Sequence, residues 1–451
     1  MEILLILAMV VPLLALPIAI GMRRHPAALI PPLIFVGYLK AEQPKASGLN
    51  VLDPTFICLG LLAACIALNV VVSFSKHEHG LRTLARYWKG IVSFSLVLGA
   101  VSVSYLYTAS PAYGFEKLSK FVVISGILFF APLLLVRSES DLSDFTFSMQ
   151  VLAAVLSIRL LFGVTTPPVT SSLTPDRDVT QIGSGQMIGM SLLWTLFCSR
   201  KPYPRFSMLL LAPLFCAALI GSVARGPLLS FIFVFTVCMF SRRLKSCVMS
   251  GKLWIPLVMF VLLAVGSSIY LLQQNSSSQA KLQTKVSELA EIGSGSLTPS
   301  YTAGRRLMLY RWAWGMFEQK PIMGWGVGGW SYYAFDMDFP AYPHNIVLEF
   351  AAEQGLIGFS LFVLLVTYMV ISLRRMWRTN PEFSFAAPVF GFSIAVAMFS
   401  GDINVNRPLW LWCGMITALS GIAVSRQVVT LKKAVQTSPE RLPFGLQQIR
   451  Y

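Results

Sequence analysis

Apolar residues along this chain come in long uninterrupted runs rather than in alternation. The runs fall near 2–21, 27–39, 54–74, 89–108, 119–136, 145–163, 182–198, 207–222, 226–240, 253–272, 355–373, 384–400 and 407–424. A helix rises about 1.5 Å per residue, so roughly 20 apolar residues cross a hydrocarbon core about 30 Å thick. The pattern predicts an all-α polytopic membrane protein with thirteen apolar segments. The second is short and carries Pro31 and Pro32, so about twelve full transmembrane helices plus one irregular segment fits equally well. A transmembrane β-barrel is excluded, because its strands alternate.

One polar interval is much longer than the rest. Residues 273–343 separate two apolar runs. They begin with a Ser-rich stretch, Gln273 to Ser300. Within it, Lys281 to Ile292 reads as a short amphipathic helix. Arg305 to Gln319 reads as a second, with Leu307, Leu309, Tyr310, Trp312, Trp314 and Phe317 among basic residues. Such a helix can lie in a membrane interface. A Gly/aromatic stretch, Gly324 to Trp330, follows and reads as a bend packed with rings. The interval ends at Pro343-His344-Asn345. Long loops are functional or disordered, and the aromatic content argues against disorder throughout. The chain divides into an N-terminal bundle (1–272), the loop (273–343), C-terminal spans (344–425) and a tail (426–451).

Composition agrees. Hydrophobic residues make up 55% and charged residues 12%, and mean hydropathy is +0.67. A soluble domain carries about 25% charged residues. The formal net charge of +16 would suit nucleic acid, but its distribution suits a membrane better. Of the 36 lysines and arginines, 22 lie in loops and a tail assigned to one side, with clusters at 76–89, 200–205, 242–252 and 374–378. That side is cytoplasmic by the positive-inside rule, and no nucleic-acid partner is expected. The long loop is then exterior. The N-terminus is outside if the short second segment crosses and inside if it does not. The seven cysteines form no disulfide framework or zinc-ligand cluster, and residues 1–21 read as a first span rather than a cleaved signal.

Few exterior groups can do chemistry. His25, His77 and His79 fall in cytoplasmic loops, which leaves His344 as the exterior imidazole and candidate general base. Arg225, in the turn Ser222 to Pro227, and Arg305 and Arg306, at the start of the second amphipathic helix, offer forked donors for an anion such as a diphosphate. Free N–H groups at that helix start add to the attraction. Arg159 lies inside the span 145–163 near its exterior end and joins the same anion site or reaches the interface. Glu349 and Glu353, one turn apart after His344, are placed to orient its ring. Asp336 and Asp338 form a weak metal-like pair. Asp402 and Arg407 share a short hairpin and can pair with one another.

The run from Gly304 through Arg305, Arg306 and Pro321 to Gly328, with Pro343-His-Asn-Ile-Val-Leu-Glu-Phe-Ala-Ala-Glu-Gln-Gly-Leu-Ile-Gly358 after it and Arg225-Gly226 before it, resembles the bacterial O-antigen ligase and polymerase superfamily. The resemblance covers residues 220–360 in motifs and the whole chain in hydropathy layout. It implies a glycosyltransferase of the bacterial inner membrane acting on its periplasmic face. The donor would be a glycan on undecaprenyl diphosphate and the acceptor lipid A–core oligosaccharide, with no metal, nucleotide or other cofactor. By the same resemblance His344 matches the essential histidine, and Arg225 and Arg305 match the diphosphate-binding arginines. Arg306 duplicates the second of these, and Asn345 and Glu349 support the histidine. The segment 165–186 departs from the family's usual turn and contributes no residue. The nearest alternatives are a polymerase or protein O-oligosaccharyltransferase of the same superfamily. A transporter for a lipid or anion along Arg159 and Arg225 is disfavoured because Arg159 is the one charge found within the spans.

Overall fold

A computed structural model describes residues 24–40, 54–75, 87–161, 176–198, 205–222, 224–241, 266 and 302–437. All regular structure among them is helical, and no strand occurs. The main helices are α1 (Ile30–Lys40, entered by a 3-10 turn Pro26–Leu29), α2 (Pro54–Ser75), α3 (Trp88–Ser104) and α4 (Pro111–Lys120). A wide turn Phe121–Ser125 joins α4 to α5 (Gly126–Leu135). There follow α6 (Glu139–Leu161), α7 (Asp176–Phe197), α8 (Arg205–Gly221) and α9 (Arg225–Phe240). Beyond 301 come α10 (Thr302–Gln319), α11 (Gly329–Phe335), α12 (Ile346–Thr379), α13 (Ala386–Ala397) and α14 (Arg407–Thr437).

Eleven of the thirteen apolar runs coincide with these helices. The runs 2–21 and 253–272, and the expected helix 281–292, lie outside the described residues. Six helical stretches are long and apolar enough to cross a membrane, and four shorter apolar helices accompany them. The chain is a polytopic all-α membrane protein.

The helices carry apolar side chains on both faces, as lipid requires. On α9, Leu229, Ile232, Phe233, Val237 and Phe240 point out, while Pro227, Ser230, Val234 and Cys238 are buried. An exposed stripe of that size is tolerable only against lipid or a partner. Helix–helix association in lipid rests on close packing and small residues rather than on the hydrophobic effect. Accordingly α14 is central, with 78% of residues 407–424 buried, whereas α2 is peripheral, with 11% of 54–71 buried. Gly414 lets α14 meet α5, because a Cβ there would lie 2.1 Å from the Phe129 carbonyl oxygen. Around this contact Trp194 packs on Phe385 and Trp412, and Phe94 stacks on Phe129 with centroids 4.1 Å apart.

The short segment at 27–39 crosses the bundle. At its start His25 Nδ1 lies 2.9 Å from Asp144 and the Ala28 carbonyl accepts from Ser148, both in the first half of α6. At its far end Gly37 and Tyr38 approach Arg407. His25 and Arg407 thus lie toward the two ends of this segment. The insert 302–345 sits at the Arg407 end.

Candidate active site

The apolar run predicted from 355 belongs to a longer helix that is broken where the run begins. In α12, Gly355 has φ 63° and ψ −160°, a backbone region open only to glycine. The break separates a buried half-helix, 346–354, from the spanning half. Backbone groups released by the break are taken up by the Gly/aromatic stretch. The Ala352 and Glu353 carbonyls accept from the N–H groups of Trp325 and Gly326 at 3.1 and 2.8 Å. In return Leu356 and Ile357 donate to the carbonyls of Pro321 and Ile322 at 2.7 and 3.3 Å. Irregular backbone survives at membrane depth only when satisfied in this way. The stretch is itself stitched to the end of α3. Val327 N–H donates to Ser104 Oγ, Thr108 Oγ1 to the Val327 carbonyl, and Tyr107 Oη to the Met323 carbonyl. The expected bend packed with rings is observed: Trp312, Trp330 and Phe335 cluster, and Trp325 meets Tyr333.

His344 stands at the N-terminus of the half-helix. Asn345 is its N-cap, with Oδ1 accepting from Val347 and Leu348 N–H at 3.0 and 3.1 Å. The role of Asn345 is therefore to start the helix, as Asn does wherever free N–H groups need an acceptor. His344 has φ 57°. A non-glycine residue held there costs on the order of 1–3 kcal/mol and persists where its surroundings fix it. The Tyr342 ring meets the imidazole edge-on, with centroids 4.6 Å apart. Burial pushes the Tyr342 phenol well up, Asp402 and Glu349 add to this and Lys117 opposes it, so the phenol stays neutral.

Glu349 and Glu353 are turned toward a lysine. Lys117 on α4 is fully buried, with Nζ 2.6 Å from Glu349 Oε1 and 2.7 and 2.8 Å from the Glu353 oxygens, and both glutamates are fully buried. Ile403 N–H also donates to Glu349 Oε1. Arg159 is therefore not the one charge inside the bundle. Lys117 lies two residues before the apolar run at 119 and so reads as a loop residue, and the glutamates, expected to orient the His344 ring, are paired with it instead. The helix-period alignment of Lys117 with the buried Tyr113 and Gly114 was the available signal.

The arginines sit at the same end of the molecule. Arg225 is the first residue of α9, where free N–H groups gather. A Cβ on the next residue, Gly226, would lie 3.7 Å from Phe399. Met398, just before Phe399, offers its carbonyl to Tyr310 Oη at 3.5 Å. Burial pushes the Tyr310 phenol up, and the charge of Arg306 and a hydrogen bond with Asn345 partly offset this. The turn ending α13 thus has Arg225 on one side and Tyr310, Arg306 and Asn345, the neighbour of His344, on the other. Arg306 lies in the N-terminal part of α10, one turn before Tyr310. The side chain of Arg305 lies outside the described residues. Arg159 is half-buried near the end of α6, and its successors Leu160 and Leu161 lie 3.4 Å from a Cβ built on Gly221, just before the Arg225 turn. Helix α10 packs on the protein, with Leu309, Ala313 and Met316 buried against Trp330 and Ala352.

Two expected pairings take other forms. Asp338 caps α4, accepting from Ser110 Oγ at 2.7 Å and from Ala112 and Tyr113 N–H at 2.8 and 2.9 Å. Desolvation pushes its carboxyl up, but these hydrogen bonds prevail and hold it below the usual range. Asp336 ends α11 in a left-handed conformation. Among the described residues no group of three or more His, Cys, Asp or Glu is arranged to hold a metal ion. Asp402 and Arg407 do not pair. Asp402 accepts from Asn404 and Val405 N–H and from Tyr113 Oη, while Arg407 donates to the Leu33 carbonyl. The N–H groups of two loop residues, Asn404 and Val405, satisfy one carboxylate oxygen locally before the arginine begins α14.

No curated protein matches the chain. Residues 206–363 match a family model described as O-antigen ligase. That interval runs from the start of α8, through Arg225 and the insert, past His344 to the spanning half of α12. Over that interval, about a third of its length, the chain is similar to the O-antigen ligase family.

Proposed function

We propose that this protein is an O-antigen ligase. It moves a glycan from undecaprenyl diphosphate onto lipid A–core oligosaccharide at the periplasmic face of the bacterial inner membrane. The observation that carries this reading is the presentation of His344 at a half-helix whose cap, Asn345, is joined through Tyr310 to the turn against which the Arg225 helix start packs.

The chemistry needs two things. A sugar diphosphate already has a good leaving group, so the departing charge must be stabilised. Arg225 and the N-terminal part of α10, with Arg306 and Arg305, supply cationic donors, and Arg159 adds to the field. The attacking hydroxyl must also lose its proton, and His344 takes it. The acceptor oxygen bonds to the anomeric carbon as the bond from that carbon to the diphosphate oxygen breaks. The electron pair leaves with undecaprenyl diphosphate, and in-line attack inverts the anomeric centre. The proton on His344 is then released to solvent. The residues in place do this without a metal.

The Lys117 cluster bears on the transport alternative. Its charges face one another and are closed off from solvent, which suits a fixed structure better than a conduit.

Purified protein incubated with lipid-linked glycan and lipid A–core tests the reading. Glycan appears on the core, and His344→Ala and Arg225→Ala abolish the product while the protein still inserts. Elongated glycan on the lipid carrier, with none on the core, would make the protein a polymerase. Glycan on an added acceptor protein would make it an O-oligosaccharyltransferase.

A further inference from the structure

The cluster around Lys117 is not required by anything above. It ties three elements together: Lys117 from α4, Glu349 and Glu353 from the buried half of α12, and Asp402 from the 398–406 turn. Asp402 reaches the group through Tyr113 Oη, 3.4 Å away, on the same helix as Lys117. Asn404 Nδ2 donates to the Lys117 carbonyl at 3.0 Å, closing the ring of contacts. Two features make it more than a tether. Buried ion pairs add little stability compared with well-packed apolar groups, because desolvation offsets the attraction. The charges also do not balance, since three carboxyl groups surround one ammonium, and even with Glu349 protonated Glu353 and Asp402 leave one negative charge in excess. Glu349 Oε2 is fully buried and has no hydrogen-bond partner, so the surplus is not quenched locally.

The cluster is anchored on the half-helix that follows His344. Glu349 N–H donates to the Asn345 carbonyl at 2.9 Å, which places Glu349 one helical turn after Asn345, the neighbour of His344. Tyr342, in ring contact with His344, feels Asp402 and Glu349 directly. We propose that Lys117, Glu349, Glu353 and Asp402 form an electrostatic mount for His344, whose excess carboxylate charge stabilises the imidazolium formed when His344 accepts the acceptor's proton. The mount acts through the field and through the half-helix it anchors, so its members are positioning residues. This rests on the proposed role of His344 as base.

Other charged or titratable groups face the same space. From α10 come Arg306 and Tyr310. From α1 comes Tyr38, whose charge acts on Tyr342 and which Arg407 of α14 approaches, and Arg225 begins α9 beyond the 398–399 turn. The arginines oppose imidazolium formation in the empty site. A bound diphosphate would match their charge, which leaves the carboxylates as the uncompensated field during transfer.

The test reads His344 directly. Full-length protein in nanodiscs, ring-labelled at histidine, has four imidazoles, and His344→Asn assigns the relevant signal. Glu353→Gln and Asp402→Asn each remove a negative charge, and each lowers the titration midpoint of His344. Lys117→Met removes the positive charge and raises it. For one such charge, the shift is on the order of one pH unit. Opposite signs are the diagnostic, because a purely structural disturbance has no reason to follow the sign of the deleted charge. If Lys117→Met fails to fold, Glu353→Gln still decides, since an amide oxygen can accept from Lys117. Midpoints that stay put, or that move the same way in all variants, overturn the proposal. The acid limb of kcat/KM separates it from the base assignment. If midpoints move as expected while the limb stays fixed, the mount stands and His344 is not the base.

Discussion

Replacing Gly355 by alanine strikes the joint on which the site is built. A Cβ at Gly355 would lie 2.4 Å from the Ile322 carbonyl oxygen and 2.6 Å from Gly324 N. Both are backbone atoms, so neither can swing aside. The residue also has φ 63°, which costs a non-glycine about 1–3 kcal/mol. Relief requires the half-helix and the 321–326 segment to part, which breaks the exchange of four backbone hydrogen bonds between them. Losing two of these with their partners left buried costs about 1–3 kcal/mol each. The substitution therefore destabilises the joint by roughly 3 kcal/mol or more. Because His344 rides on the half-helix, a shift of about 1 Å is enough to lower transfer on the order of 100-fold. The assay is glycan transfer and thermal inactivation of purified protein in nanodiscs. Gly99→Ala serves as control, since nothing lies within 4 Å of a Cβ there and alanine favours a helix by about 1 kcal/mol. If Gly355→Ala transfers glycan and resists heat as well as Gly99→Ala does, the break at Gly355 is not what positions His344.

Other substitutions follow from particular contacts. Asn345→Ala removes the cap beside His344 and costs about 1 kcal/mol, and Asn345→Asp or Asn345→Ser restores most of it; thermal inactivation reads both. Asp338→Asn tests the cap on α4. Its carboxyl is held low in the folded protein, so its contribution is present above the unfolded carboxylate value and is lost as pH falls through the folded one. The wild type therefore loses this stability on the acid side, and the variant shows a smaller drop there in acid-inactivation curves. Added chelator leaves transfer unchanged, and strong inhibition would return Asp336 and Asp338 to consideration as ligands.

The membrane architecture was legible because lipid imposes a simple rule: a long apolar run must be a helix, since its backbone has no other partner. Length and hydropathy therefore placed eleven of the described helices. They misplaced boundaries where a helix continues into polar sequence. α4 begins eight residues before its apolar run, so Lys117 reads as a loop residue, and α12 begins nine before its run, so the partner of Glu349 and Glu353 was not legible. The break at Gly355 was invisible for a different reason. A glycine inside an apolar helix is common, and only its exchange of hydrogen bonds with Pro321, Ile322, Trp325 and Gly326 reveals the left-handed turn. His344 was legible by elimination among four histidines. Its neighbour Tyr342 was not, because interfacial tyrosines are frequent and nothing in the spacing separates this one. Asp402 and Arg407 misled because proximity in sequence suggested a pair, whereas the backbone of a tight turn satisfied the acid first.

A structure of the protein in a lipid nanodisc with a bound undecaprenyl diphosphate glycan most directly tests the arrangement proposed for transfer. The account predicts phosphate density at the Arg225 helix start and the N-terminal part of α10, with the anomeric carbon directed toward His344 within reach of one acceptor hydroxyl. Diphosphate bound at the His25 end of the bundle, or against Arg225 with the sugar turned away from His344, would contradict it.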